Sequence, residues 1–144
     1  MNQPDTSNDR IDGSEIIRRL LPNSPYVKHL GMQLLSMEKD RATLSLPFVE
    51  ELITVGTTVH GGAIASLIDM AATVAAWSGA EVTSSTRGTT VALTVNYLAA
   101  AQKEDIQATA RVLRRGRSLV YLDVEVQGAS GTLVAKGLVT YKLG

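Results

Sequence analysis

The chain contains no cysteine, and that absence removes disulfides, thiol nucleophiles and cysteine-ligated zinc together. Aromatic residues are nearly as scarce. One Trp, four Tyr and one Phe in 144 residues leave little surface for stacking nucleic-acid bases. Net charge is lacking too: 14 basic and 14 acidic side chains cancel, so no overall field favours nucleic acid or an anionic membrane. The only histidines are His29 and His60, too few for a histidine-rich metal site. No G-x-S-x-G elbow is present, which argues against an α/β-hydrolase triad. No basic segment leads into an apolar run with a cleavage site, which argues against a secretory signal. The apolar run over residues 63–77 is broken by Ser66, Asp69 and Thr73, and it is shorter than the roughly 20 residues a membrane span needs. The expectation is a cytoplasmic protein with no metal and no cofactor, no nucleic-acid or membrane partner, and chemistry confined to oxygen and nitrogen groups.

Length and a 44% hydrophobic composition fit one globular domain. Residues 1–13 are polar and read as a disordered tail, leaving 14–144 as the single domain. Ser14 precedes Glu15, Ile16, Ile17, Leu20 and Leu21, a pattern that predicts an N-capped short helix stopped by Pro22. Residues 31–39 and 41–47 alternate as two strands turning near Asp40, and 48–58 form a connection without a strong period. A long helix is expected over Gly62–Ser78, then a polar loop from Gly79 to Gly88. Four segments rich in Val, Thr, Leu and Tyr follow: Thr89–Leu98, Asp105–Arg114, Ser118–Gln127 and Thr132–Leu143. Turns at Gly116 and Gly128–Gly131 make the last three an antiparallel meander. The helix is apolar on nearly every side, so a sheet of five or six strands must curl around it. That gives an α+β fold, and the edge strand left over invites pairing with a second copy.

Asp69 is the chemical anomaly. An ionised carboxylate in an apolar helix is costly unless it has a partner or a task. One reading pairs it with an internal arginine. The other uses it together with the helix start, where His60-Gly61-Gly62 leaves backbone N–H groups at Gly61 and Gly62 that favour a developing negative charge. Ser66, Asp69 and Thr73 share one helical face, and Ser66 and Thr73 read by themselves as hydroxyls bonding back to the helix. Asn96-Tyr97 reads as a strand end that packs and bonds without chemistry. Arg111, Arg114, Arg115 and Arg117 gather near one turn, as solvated charges or as a phosphate clamp.

His60-Gly61-Gly62 followed by Asp69 in LIDMA resembles the hotdog-fold acyl-CoA thioesterases, nearest the phenylacetyl-CoA and 4-hydroxybenzoyl-CoA thioesterase types. The resemblance runs from about Gly31 to Leu143 and includes TTVALTVNYLAAA, RRGRSLVYLDVEV and LVAKGLVTYKL. It implies a hotdog fold and hydrolysis of a small or medium, possibly aromatic, acyl-CoA, with coenzyme A as part of the substrate and not a cofactor. It also implies a homodimer with its site at the subunit interface, paired further into a tetramer. By the same resemblance Asp69 is the nucleophile or general base, the Gly61 N–H polarises the carbonyl, and His60 orients the loop or touches substrate. Gly62 lines the substrate, Thr90 stands near the reacting water, Thr73 matches a threonine of one branch, and Arg115 and Arg117 lie near the CoA phosphates. Two positions depart from the family. Thr54 stands where relatives carry Asn or Gln, offering a shorter single donor, and Thr57 stands where a glycine is usual. A non-catalytic acyl-CoA or small-ligand binding module and an enoyl-CoA hydratase-type enzyme remain the alternatives.

Overall fold

The computed structural model describes residues 9–144. Most of the expected tail over residues 1–13 therefore lies outside the described residues. The part of it over residues 11–13 is structured, which corrects that reading: Ile11–Asp12 (β1) pairs antiparallel with Glu81–Val82 (β6), inside what reads in sequence as a polar loop. Helix α1 spans Gly13–Leu20. Its N-cap is Asp12, not Ser14, because the Asp12 carboxylate accepts the Ser14 N–H at 2.8 Å. The Ser14 hydroxyl instead accepts the Gly79 N–H, tying α1 to the end of the long helix. A short second helix, α2 (Pro25–Leu30), was not legible in the sequence. Proline at its first turn starts it, and Gly31 in the left-handed region at φ 76° ends it.

Six antiparallel strands form the main sheet: β2 (Gln33–Glu38), β3 (Arg41–Leu46), β7 (Gly88–Tyr97), β8 (Ile106–Arg115), β9 (Leu119–Gly128) and β10 (Leu133–Leu143). Their spatial order is β2-β3-β8-β9-β10-β7. The last three strands are the meander expected from their glycine turns, and β7 closes onto the far side of β10. The connection over 48–58 holds a 3-10 turn at Glu50–Leu52 and a small hairpin of β4 (Ile53–Val55) and β5 (Thr58–Val59).

Helix α3, Gly61–Trp77, lies on the concave face of the sheet and packs against β3, β7, β8, β9 and β10. It begins one residue earlier than its sequence pattern suggests. Leu67, Ile68, Ala71, Ala72, Val74, Ala75 and Ala76 are fully buried against Ala42, Leu44, Ile106, Leu122, Val124 and Val139. The alanines serve close approach to the sheet, and so does Gly137 on β10, where a Cβ would sit 2.8 Å from Ile68 Cγ2. This is the hotdog arrangement: one apolar helix wrapped by a curled sheet.

The helix does not cover the sheet to both ends. On edge strand β7 only Thr90 and Val95 are partly buried in the single chain, while Val91 (57%) and Tyr97 (53%) are open to solvent. A ten-residue edge with exposed apolar side chains and no proline is a template for another strand. Among the described residues no helix is long and apolar enough to cross a membrane.

Candidate active site

The start of α3 is a tightly tied turn. His60 is the N-cap, with extended backbone (φ −60°, ψ 132°) and a side chain whose Nδ1 accepts the Gly62 N–H at 2.8 Å. That bond corrects one expectation: the Gly62 N–H is occupied by its own cap and is not an open donor. The His60 N–H donates to Leu52 O at 2.7 Å, and its carbonyl accepts from the Ala63 and Ile64 N–H groups. The Gly61 N–H has no acceptor among the described residues. Beside it runs a groove of about 360 Å³, lined in part by Thr54, Gly61, Ile64, Tyr97 and Ala101. Thr54 is thus at the mouth of the helix start, as its place in the sequence suggests.

Asp69 lies eight residues further along α3, roughly 12 Å up the axis from Gly61. Its carboxylate is half-buried, and its Oδ1 accepts the Thr90 hydroxyl at 2.6 Å. No cation pairs with it among the described residues, so the arginine-locked reading is not what the fold adopts. Thr90 comes from the edge strand β7 and lies in register with Tyr141 on β10. Tyr141 is buried, its Oη accepts the Trp77 indole N–H at 2.9 Å, and the Thr73 hydroxyl and the Asp69 charge lie close by. Burial pushes the Tyr141 hydroxyl above its ordinary pKa. Bonds from Trp77 and Thr73 oppose that shift, and the Asp69 charge reinforces it. Tyr141 is therefore neutral, a fixed dipole at the floor beneath Asp69. Ser66 behaves as its type suggests, donating back to Gly62 O at 2.8 Å and bonding Tyr26.

Within one chain, then, Asp69, Thr90 and Thr73 form one cluster, and Gly61, His60 and Thr54 form another. Arg115 belongs to neither. Its guanidinium bonds Asp40 Oδ1 (2.7 and 3.2 Å) and Ala76 O (2.9 Å), capping the carbonyl end of α3 roughly 22 Å from Gly61. Arg117 lines a neighbouring cleft of about 320 Å³ with Lys39, Gly79 and Ser118. Arg111 sits on the outer sheet face near Glu125. Among the described residues no cluster of three or more His, Asp or Glu could hold a metal ion.

Sequence reasoning missed two participants. Tyr97 donates its hydroxyl to the Gly61 carbonyl at 2.7 Å, and the Tyr141–Trp77 pair backs the carboxylate. Their only signal was a polar tip on scarce aromatics, which buried or bonded tyrosines and tryptophans need to satisfy.

Comparison with known proteins converges on one group. Residues 56–135, more than half of the chain, match the model of the thioesterase superfamily. The human protein named acyl-coenzyme A thioesterase 13 is 29% identical over 133 residues, covering 90% of this chain and 93% of its own length. The Escherichia coli medium/long-chain acyl-CoA thioesterase YigI is 30% identical over 135 residues, covering 83% of this chain and 86% of its own. Among solved structures, the E. coli PaaI protein from the phenylacetic acid degradation operon superposes with a TM-score of 0.80. It covers 91% of this chain and 92% of its own at 21% identity, which speaks to the fold alone.

Proposed function

The chain belongs to the thioesterase superfamily, and on that premise we propose that it hydrolyses the thioester bond of a small or medium acyl-CoA, releasing a free acid and CoA. The observation that carries this reading is the state of Asp69: a half-buried carboxylate in an apolar helix, held by one hydroxyl and by no cation among the described residues. A structural acid at that position would be expected to carry an ion-pair partner. This one is oriented and left with lone pairs to use.

Two routes fit the groups present. In one, Asp69 takes a proton from water as its oxygen adds to the thioester carbonyl carbon; the adduct then breaks its C–S bond, and CoA leaves as a thiolate that takes the proton back from Asp69. In the other, the carboxylate adds directly, CoA leaves as its thiolate, and water opens the resulting anhydride. Both routes pass through an oxyanion, and the Gly61 N–H at the positive end of α3 is a donor suited to it. One such donor is typically worth about 3–4 kcal/mol in the transition state.

The two halves do not meet within one chain. A carbonyl oxygen about 3 Å from the donor and a carbon about 3–3.5 Å from the attacking oxygen require groups well under 12 Å apart. We infer a homodimer in which Gly61 of one copy faces Asp69 of the other, built by joining the exposed β7 edges across a two-fold axis. Thr90 then sits on the joining strand and orients the carboxylate, and Thr73 lies one turn beyond it. His60 holds the turn through Nδ1, and Thr54 offers the groove a hydroxyl. Arg117, with no ion pair among the described residues, is the better placed of the two arginines for a CoA phosphate, because Arg115 is committed to Asp40 and Ala76. Further pairing into a tetramer belongs to the same proposal.

A panel of acyl-CoA esters with a thiol-detecting dye, run beside calorimetric titration of the same esters, tests the reading. Thiol release with turnover supports it. Binding heat without thiol release makes the chain a binding module, and consumption of an enoyl-CoA double bond without thiol release makes it a hydratase.

A further inference from the structure

The peptide group joining Gly61 to Gly62 is gripped at both ends. Its N–H donates to His60 Nδ1 at 2.8 Å, and its carbonyl accepts the Tyr97 hydroxyl at 2.7 Å. The Tyr97 ring also lies over Gly61: a Cβ there would stand 3.3 Å from ring atoms Cε1 and Cζ. With His60 N–H on Leu52 and His60 O shared by Ala63 and Ile64, the Gly61 N–H is the one backbone donor of residues 60–62 without an acceptor among the described residues. Tyr97 is the last residue of β7, the strand that also sends Thr90 to Asp69. One edge strand therefore reaches both clusters.

We propose that Tyr97 is a positioning residue for the Gly61 donor, holding the His60–Gly62 turn so that its free N–H is aimed into the groove before substrate arrives; this rests on the hydrolytic reading above. Two consecutive glycines are the loosest backbone a chain can place at a site, and an oxyanion donor is effective only when its direction is fixed in advance. The His60 ring restrains the Gly62 N–H from within the turn, and the Tyr97 hydroxyl adds the restraint on the Gly61 carbonyl from outside it. By polarising the Gly61 carbonyl it also strengthens the N–H of the same peptide toward His60 Nδ1. That bond makes Nδ1 the acceptor and puts the imidazole proton on Nε2. In this role Tyr97 touches no reacting atom.

Tyr97→Phe keeps the ring and deletes only the O–H. The experiment measures amide hydrogen exchange at Gly62 by NMR in the full-length protein, together with kcat and KM on the best acyl-CoA of the panel. Losing one ordinary hydrogen bond predicts Gly62 exchange faster by about 3- to 10-fold. It also predicts kcat lower by about the same factor with KM changed less than about twofold, a split that a merely packed side chain would not produce. Unchanged Gly62 exchange in Tyr97→Phe overturns the clamp. Faster exchange with undiminished kcat overturns its bearing on the chemistry. Asp69→Asn, assayed alongside, separates the two ideas. If it hydrolyses like the unaltered protein, the hydrolytic assignment of Asp69 fails while the exchange result still decides whether Tyr97 holds the turn.

Discussion

Replacing Gly61 by proline removes the proposed oxyanion donor without breaking an intrahelical bond. Gly61 is the first residue of α3, the helical position where proline is favoured and where a missing N–H breaks no intrahelical bond. The residue before it already suits a proline, because His60 at φ −60° and ψ 132° is in the extended region that a following proline requires. The proline Cβ would stand 3.3 Å from the Tyr97 ring, a demand that Gly61→Ala shares while keeping its N–H, and the proline Cδ would take the place of the N–H itself. Gly61→Ala is therefore the control for bulk. Loss of one oxyanion donor predicts a fall in kcat of about 10²–10³ for Gly61→Pro. Gly61→Ala should keep most of its activity. A stronger form of the experiment combines two defective chains. If Gly61 of one copy works with Asp69 of the other, a dimer of one Gly61→Pro chain and one Asp69→Asn chain has one site with both defects and one with neither. Co-expression with two affinity tags and tandem purification isolates that mixed dimer. Its thiol-release rate should be about half that of the unaltered dimer, although both parent homodimers are nearly inactive. A mixed dimer as inactive as its parents would refute the shared site, because Gly61 and Asp69 would then have to act within one chain.

Other substitutions test the scaffold under the site. Tyr141→Phe leaves the buried Trp77 indole N–H without its acceptor and should cost about 1–3 kcal/mol in denaturant unfolding. Because Tyr141 holds its proton above the ordinary pKa in the fold, the unfolded chain ionises first, so stability falls as pH rises past about 10. The phenylalanine variant should flatten that alkaline limb, and an unchanged limb would show that Tyr141 does not drive it. Gly137→Ala forces a Cβ to within 2.8 Å of Ile68 and should destabilise by about 1–3 kcal/mol, read as a lower Tm in calorimetry.

Much of this fold is legible residue by residue. The apolar run through Leu67, Ile68 and Val74 announces a helix buried all round, and period-two stretches such as Val120, Leu122, Val124 and Val126 announce the sheet face that buries it. The nine-residue interval from His60 to Asp69 marks both halves of the proposed site. What could not be read depends on contacts far apart in sequence. Tyr97 meets Gly61 across 36 residues, and Arg115 meets Asp40 across 75, and no local period encodes either bond. Asp12 and Ser14 are both competent caps. The choice between them is made by Gly79, whose N–H recruits the Ser14 hydroxyl. Helix α2 has six residues, too few to show a period, and its proline start is equally a turn signal. The Gly62 N–H counted as open from the motif alone, because nothing in the motif says which way the His60 ring turns.

The most direct test of the central claim is kcat of Asp69→Asn on the best acyl-CoA substrate. Asparagine keeps the shape and can still accept the Thr90 hydroxyl, so Tm and mass in solution should stay close to those of the unaltered protein. Losing the carboxylate as base or nucleophile predicts a rate lower by about 10²–10⁴-fold. A folded Asp69→Asn protein that releases CoA at the unaltered rate would contradict the account.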